Sequence, residues 1–125
     1  MKTKLFFIVL VAFLFFSCIS KSDKVVSLFT SEIKVKPTVL VEKNVKETHY
    51  KWKSVSLAKN ETLKNIVDKE IGILPTKTQE LEQLGGVFSQ YWVWENSDLI
   101  VELDYDYDYG ATSNNIDVTL HVTKK

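Results

Sequence analysis

Alternating apolar and polar residues, or dense runs of β-branched and aromatic residues, predict β-strands in five segments of the chain. The predicted strands cover residues 33–41, 48–57, 87–94, 99–109 and 116–123. Pro37 has no N–H to donate to a neighbouring strand, so we expect the first segment to be an edge strand or two short strands. Short loops rich in Gly, Asn, Asp and Ser separate the last three segments, so we expect these to form an antiparallel meander.

The second predicted strand contains a change of face. Tyr50 and Trp52 lie on one face of a regular strand, whereas Val55 and Leu57 lie on the other. A β-bulge inserts one extra residue and shifts the alternation by one position. A bulge near Lys53 would therefore bring both apolar pairs to the same side, and we expect one there.

Residues 60–71 have the spacing of an amphipathic helix. Their apolar positions recur every three or four residues and would form one buried stripe, made of Leu63, Ile66, Val67 and Ile71. Asn60 is suited to cap the first turn, and Gly72 to adopt the left-handed conformation that often ends a helix. Together these elements predict an α+β fold, with an antiparallel sheet of four or five strands and one main helix packed on one face.

The first residues of the chain have the pattern of an export signal. Lys2 and Lys4 form a short basic region, and residues 5–16 are an unbroken run of apolar residues. As a helix this run would span roughly 18 Å, whereas the hydrocarbon core of a bilayer is about 30 Å thick. Its length is typical of a signal peptide rather than of a membrane-spanning helix.

Residues 15–18 read Phe-Phe-Ser-Cys. They resemble the lipobox of bacterial lipoproteins, in which a small residue precedes the modified Cys, although Phe15 stands where that family usually has Leu. The resemblance implies cleavage before Cys18, a diacylglyceryl thioether on its sulfur, acylation of the freed amine by a chain such as palmitate, and a place at the outer membrane, facing the periplasm or the cell surface. Two alternatives remain, a secretory leader cut after Ser20 and an uncleaved anchor. All three place the domain outside the cytoplasm.

The chain is thus expected to contain a signal peptide at 1–17, a lipidated Cys with a tether at 18–32, and a single α+β domain at 33–125. Within the domain, a helix that ends at Gly72, the Pro-Thr pair at 75–76 and the aromatic strand at 91–94 resemble small envelope lipoproteins of the SmpA/OmlA type. Those proteins usually carry two helices, whereas one is predicted for this chain. The resemblance implies an accessory role in outer-membrane assembly and transfers no site residue.

Composition excludes several classes of function. All 16 basic residues are Lys, and they are balanced by 16 acidic residues to a formal net charge of +0. Nucleic-acid recognition relies on bidentate Arg contacts and a net basic surface, so we expect no nucleic-acid partner. Cys18 is the single Cys of the sequence, which excludes an internal disulfide and a zinc site built on Cys ligands.

Asp and Tyr alternate over residues 104–109, which would place Asp104, Asp106 and Asp108 on one face of a strand. Carboxylate oxygens suit Ca²⁺, so these three residues are a candidate cation site. Neighbours on one strand face lie roughly 6–7 Å apart, however, which is wide for a shared ion. The alternative is a solvated acidic face that keeps the sheet soluble.

The aromatic and imidazole side chains are the other candidates for binding. Trp92 and Trp94 share a strand face and could stack on a sugar or a peptide of a partner, or could instead serve the core. His49 and His121 each lie in a predicted strand without a second ligand at metal-binding spacing. We expect both imidazoles to be surface or hydrogen-bonded side chains rather than metal ligands.

The sequence contains no phosphate-binding Gly-rich loop, no His pair at zinc-protease spacing and no Gly-x-Ser-x-Gly nucleophile motif. We therefore expect a non-catalytic, lipid-anchored domain of the cell envelope that binds another envelope protein or a glycan through its sheet. It would need no cofactor besides the covalent lipid on Cys18. The alternatives are a calcium- or cation-binding module that uses the 104–108 strand, and a small envelope hydrolase with scattered carboxylates.

Overall fold

An antiparallel sheet with helices on one face forms the described part of the protein. The computed structural model describes residues 20–41, 46–82, 87–108 and 115–125. Within these ranges there are six strands: β1 (Thr38–Val41), β2 (Glu47–Ser56), β3 (Lys77–Glu82), β4 (Val87–Glu95), β5 (Leu99–Asp108) and β6 (Asn115–Lys124). Their order across the sheet is β1-β2-β6-β5-β4-β3, and every neighbouring pair is antiparallel. The central strands are therefore β6 and β5.

Two α-helices accompany the sheet in the described residues. Helix α1 covers Lys21–Ile33, and α2 covers Asn60–Ile71 after a short 3₁₀ turn at Leu57–Lys59. The hydroxyl of Ser20 caps α1, and Gly72 ends α2 with a φ of 81°. Neither helix combines the length and the apolar character that crossing a bilayer requires.

Both helices pack on the same face of the sheet. Val25 and Phe29 of α1 and Leu63 and Val67 of α2 are fully buried, and the Phe29 ring centroid lies 5.3 Å from that of Trp52. The sheet supplies the rest of this core with inward side chains, chiefly Trp52, Trp94, Leu103, Tyr105, Ile116, Val118 and Leu120. The alternation of buried and partly exposed residues along β6 shows that this strand buries only its helix-facing side.

Two hydrogen bonds fix α2 on the sheet. The indole Nε1–H of Trp94 donates to Asp68 Oδ1 at 2.8 Å, and the Tyr105 hydroxyl donates to the carbonyl of Asn60 at 2.6 Å. Burial raises the pKa of Tyr105, so this hydroxyl stays a donor at neutral pH. A buried donor without a partner is costly, and these bonds therefore select one position of α2 against β4 and β5.

Several sequence expectations are confirmed. The fold is α+β, the predicted helix at 60–71 is present, and a bulge interrupts β2 between Trp52 and Val55. Trp52 pairs with Val118 and Val55 with Ile116, which brings both apolar residues of β2 to the helix-covered face. Inside the bulge, Ser54 has a φ of 56° and its N–H donates to Asp117 Oδ1.

Three expectations are wrong. The sheet has six strands instead of four or five, because β3 at Lys77–Glu82 has Leu81 as its single apolar residue and no alternation to recognise. A second helix is present, because residues 21–33 form α1 where a tether over 18–32 was expected. The first predicted strand, over 33–41, is reduced to β1 at its end, since Ile33 still belongs to α1.

Candidate functional site

The face of the sheet opposite the helices carries a row of polar side chains. His49 on β2, His121 on β6 and Glu102 on β5 lie directly across from one another in the strand register. All three are partly buried although no described helix packs on this side. We call this side the open face; its members also include Glu47, Tyr91, Asp104 and Thr119.

A chain of contacts joins the imidazole, carboxyl and phenol groups of this row. His121 Nδ1 donates to Glu102 Oε2 at 2.9 Å, and the Tyr91 hydroxyl donates to Glu102 Oε1 at 2.8 Å. The ring of His49 stacks on that of His121 with centroids 3.8 Å apart. Burial, followed by the hydrogen bond and charge of Glu102, raises the pKa of Tyr91 to about 12. Tyr91 therefore remains a proton donor, and Glu102 is held from two sides.

Glu47 joins the two imidazoles at the edge of this row. One ligand atom from each of Glu47, His49 and His121 can be chosen so that all three lie within 4.8 Å of one another. The Nε2 atom of His121 is buried and has no hydrogen-bond partner. In the neutral tautomer that keeps its proton on Nδ1 for the hydrogen bond to Glu102, Nε2 presents a lone pair. The arrangement is chemically suited to hold a cation.

Asp104 lies two residues beyond Glu102 on β5, on the same face of the sheet, and its carboxyl group has a raised pKa. Burial, together with the negative charges of Asp106 and Glu102, raises its pKa to about 6. Its Oδ1 atom is buried without a hydrogen-bond partner. This carboxyl group therefore gains a proton in a range where most carboxyl groups are ionised.

The candidate calcium ligands do not assemble into a three-ligand group among the described side chains. Asp104 and Asp106 lie on the open face, as predicted, but the group of three that does form consists of Glu47, His49 and His121. The side chain of Asp108 lies outside the described residues. Asp104 and Asp106 thus share a face, as the alternation along the strand predicts, whereas the residues that converge on this face are others.

The two candidate partner-binding tryptophans lie on the helix-covered side. Trp94 is fully buried and bonded to Asp68, so it belongs to the core and offers no surface for stacking. Trp92 is partly buried, and its ring meets that of Tyr105 edge-on with centroids 5.0 Å apart. Trp92 also borders a small cavity of about 160 Å³ between α2 and β4, lined further by Asn60, Glu61, Lys64 and Gln90.

Sequence reasoning missed the site formed by Glu47, His49 and His121. Two of these residues are on β2 and the third is on β6, which is far away in sequence and becomes a neighbour only through the sheet order. The one local signal was that Glu47 and His49 are two residues apart and therefore share a strand face. Cys18, the predicted lipidation site, lies outside the described residues. Protein-family models, curated proteins and solved structures contain no match to this chain.

Proposed function

We propose that this protein is a lipid-anchored, non-catalytic binding protein of the cell envelope, attached through Cys18 to the outer membrane. Its binding surface would be the open face of the sheet. The observation that carries the binding role is the polar row of His49, His121 and Glu102, which is preorganised by hydrogen bonding and stacking on a side that neither helix covers.

The polar row has the properties of a binding site rather than of a solvated surface. Exposed polar side chains usually point into water, whereas Glu102 accepts two hydrogen bonds and His121 is held between Glu102 and His49. These contacts already hold the side chains in one arrangement, which lowers the entropy cost of ordering them around a ligand. The rigid central strands β5 and β6 keep the site in one geometry.

The leader supports the proposed location. A basic start, an apolar run over residues 5–16 and the Ser-Cys pair at 17–18 provide the parts that lipoprotein processing requires. At about 0.8 kcal/mol per buried CH₂ group, one acyl chain binds a membrane weakly, and two or three chains hold durably. The anchor therefore needs both the thioether on Cys18 and acylation of its amine.

Metabolic labelling with palmitate tests the anchor. Label is expected on the wild-type protein and absent from a Cys18→Ala variant, and membrane fractionation should separate the two in the same way. Ser17→Ala is the matched control, because Ala is also a small residue and should preserve processing. A wild-type protein without label, or equal label on Cys18→Ala, would reject the anchor and favour the secreted or uncleaved alternative.

Capture from envelope extracts tests the binding surface. The wild type should retain a ligand that a His121→Ala variant loses and that a Lys69→Ala variant keeps, since Lys69 is exposed on α2, away from the open face. Circular dichroism of each variant establishes that the fold is intact. Ligands that bind the His121→Ala variant as well as they bind the wild type would place the binding surface elsewhere.

A further inference from the structure

We propose that Glu47, His49 and His121 bind one divalent transition-metal ion, with Zn²⁺ as the ion of first choice. This inference rests on the open face being the binding surface, and it names the class of ligand; it does not depend on the lipid anchor. Two imidazole nitrogens and one carboxylate oxygen would occupy three coordination positions, and the side facing solvent would leave a further position for water or for a donor group of a partner.

The strand geometry brings the three donor residues close together. Glu47 and His49 are two residues apart on β2, so they share a face, and His121 lies directly opposite His49 on β6. Their ligand atoms lie within 4.8 Å of one another. Donors bound to one zinc ion at about 2.0–2.2 Å lie roughly 3.4 Å apart. The stacked rings of His49 and His121 must therefore rotate apart to direct one nitrogen each at a shared ion.

The surroundings of His121 are those of a metal-ligating imidazole. Ligating His residues usually donate their second ring N–H to a carboxylate, which fixes the ring and its tautomer. Glu102 accepts this bond from Nδ1 at 2.9 Å, and Tyr91 in turn holds Glu102. The opposite nitrogen, Nε2, is buried and lacks any partner, although an unsatisfied buried polar atom is costly. A bound ion would supply that missing partner.

The donor set selects the class of ion. Imidazole nitrogens favour Zn²⁺ and its neighbours among the first-row transition metals, whereas Ca²⁺ and Mg²⁺ prefer sites made entirely of oxygen atoms. All three residues are only partly buried, although the Nε2 atom of His121 is itself buried, so an ion reaches this nitrogen when a neighbouring side chain moves aside. The inference therefore differs from the calcium site considered for Asp104, Asp106 and Asp108 in its residues and in its metal.

Isothermal titration calorimetry with ZnCl₂ tests the proposal on the mature, lipid-bearing protein in detergent, after metal has been removed with a chelator. The wild type should bind one Zn²⁺ per chain, and CaCl₂ should give no comparable heat. His49→Ala and His121→Ala should remove most of the heat. Glu102→Gln, which alters only the group that positions His121, should weaken binding by about tenfold or more.

Asp98→Ala is the matched control, because Asp98 is an exposed acidic residue in the turn between β4 and β5 and should leave Zn²⁺ binding unchanged. A second measurement needs no variant. Paramagnetic Cu²⁺ added to the wild type should broaden the NMR signals of both imidazoles before those of other residues, since the sequence contains only two His.

The outcomes separate this inference from the proposed function. No Zn²⁺ heat with the wild type, or heat that both His variants retain, would overturn the metal site while leaving the palmitate result untouched. Loss of palmitate labelling would remove the anchor and leave the metal site standing. Ca²⁺ binding that Asp104→Asn abolishes, in the absence of Zn²⁺ binding, would transfer the cation to the acidic strand and would also overturn this proposal.

Discussion

Asp104 is a carboxyl group that the fold keeps partly away from water. Its Oδ1 atom has no hydrogen-bond partner, and burial beside Asp106 and Glu102 raises its pKa from 3.8 to about 6. A raised folded-state pKa means that the native protein binds this proton more tightly than the unfolded chain does. The contribution of Asp104 to stability is therefore fully present below about pH 4 and is lost as the pH rises through 6.

The Asp104→Asn variant tests this pH dependence. The amide cannot ionise, so the variant should be more stable than the wild type at pH 7.5, by roughly 1 kcal/mol, the scale of one poorly satisfied buried group. The difference should disappear near pH 4. Urea denaturation of metal-free protein at both pH values measures it, with the exposed Asp98→Asn variant as control. A wild type that equals or exceeds Asp104→Asn in stability at pH 7.5 would contradict the assigned burial.

At the scale of single residues, the sequence predicted that Asp104 and Asp106 share a strand face, but not which other residues meet on that face. Asp104 and Asp106 stood out because they alternate along one strand, and that pattern is local. The contacts of His121 with His49 and Glu102 depend on β6 lying between β2 and β5. Neither the order nor the register of the strands follows from the spacing of the residues, and two isolated imidazoles therefore gave no metal-binding pattern.

The ends of the helices show how local conformation and residue type can agree or conflict. Gly72 ends α2 with a φ of 81°, whereas Lys34 ends α1 with a φ of 66°. Glycine adopts this left-handed region without steric cost, and a residue with a Cβ atom does not. Helix α1 therefore carries backbone strain at its end that α2 avoids.

A reciprocal pair of substitutions tests this strain. Lys34→Gly should stabilise the protein by about 0.5–1 kcal/mol, and Gly72→Ala should destabilise it by about 1 kcal/mol or more. A Cβ atom at position 72 would meet no other atom within 4 Å, so the loss would come from the backbone alone. Thermal and urea unfolding measure both. A destabilised Lys34→Gly variant would contradict the argument.

Elements with a strong periodic pattern were mostly predictable, and of the two elements that the sequence analysis missed, β3 lacks such a pattern. The stripe of Leu63, Val67 and Ile71 predicted α2, and the inward side chains of β5 and β6 predicted those strands. Helix α1 has a comparable stripe in Val25 and Phe29, but it directly follows the predicted leader and begins with polar residues, which favoured a tether. Strand β3 forms because its backbone pairs with β4, and its sequence alone does not have the alternation of a strand.

For the whole molecule, the main difference from the sequence expectation is that the folded part begins with α1 at Lys21 rather than at residue 33. Val25 and Phe29 are fully buried, and the Phe29 ring packs on Trp52 in the centre of the core. Phe29→Ala should therefore cost about 3–5 kcal/mol, as truncation of a buried aromatic residue does. Lys21→Ala, at an exposed position of the same helix, is the control. Urea unfolding measures both, and a Phe29→Ala variant as stable as the wild type would return residues 18–32 to the role of a tether.

With the proposed lipid anchor on Cys18, the early start of α1 would limit how far the folded domain extends from the membrane. Three peptide steps separate Cys18 from Lys21, the first residue of the helix, and at full extension they span at most about 11 Å. With acyl chains on Cys18, a linker only about a nanometre long would hold the domain close to the phospholipid headgroups. A domain anchored in this way could not reach across the space between two membranes. Its binding partner would have to be present at the membrane surface that carries the anchor.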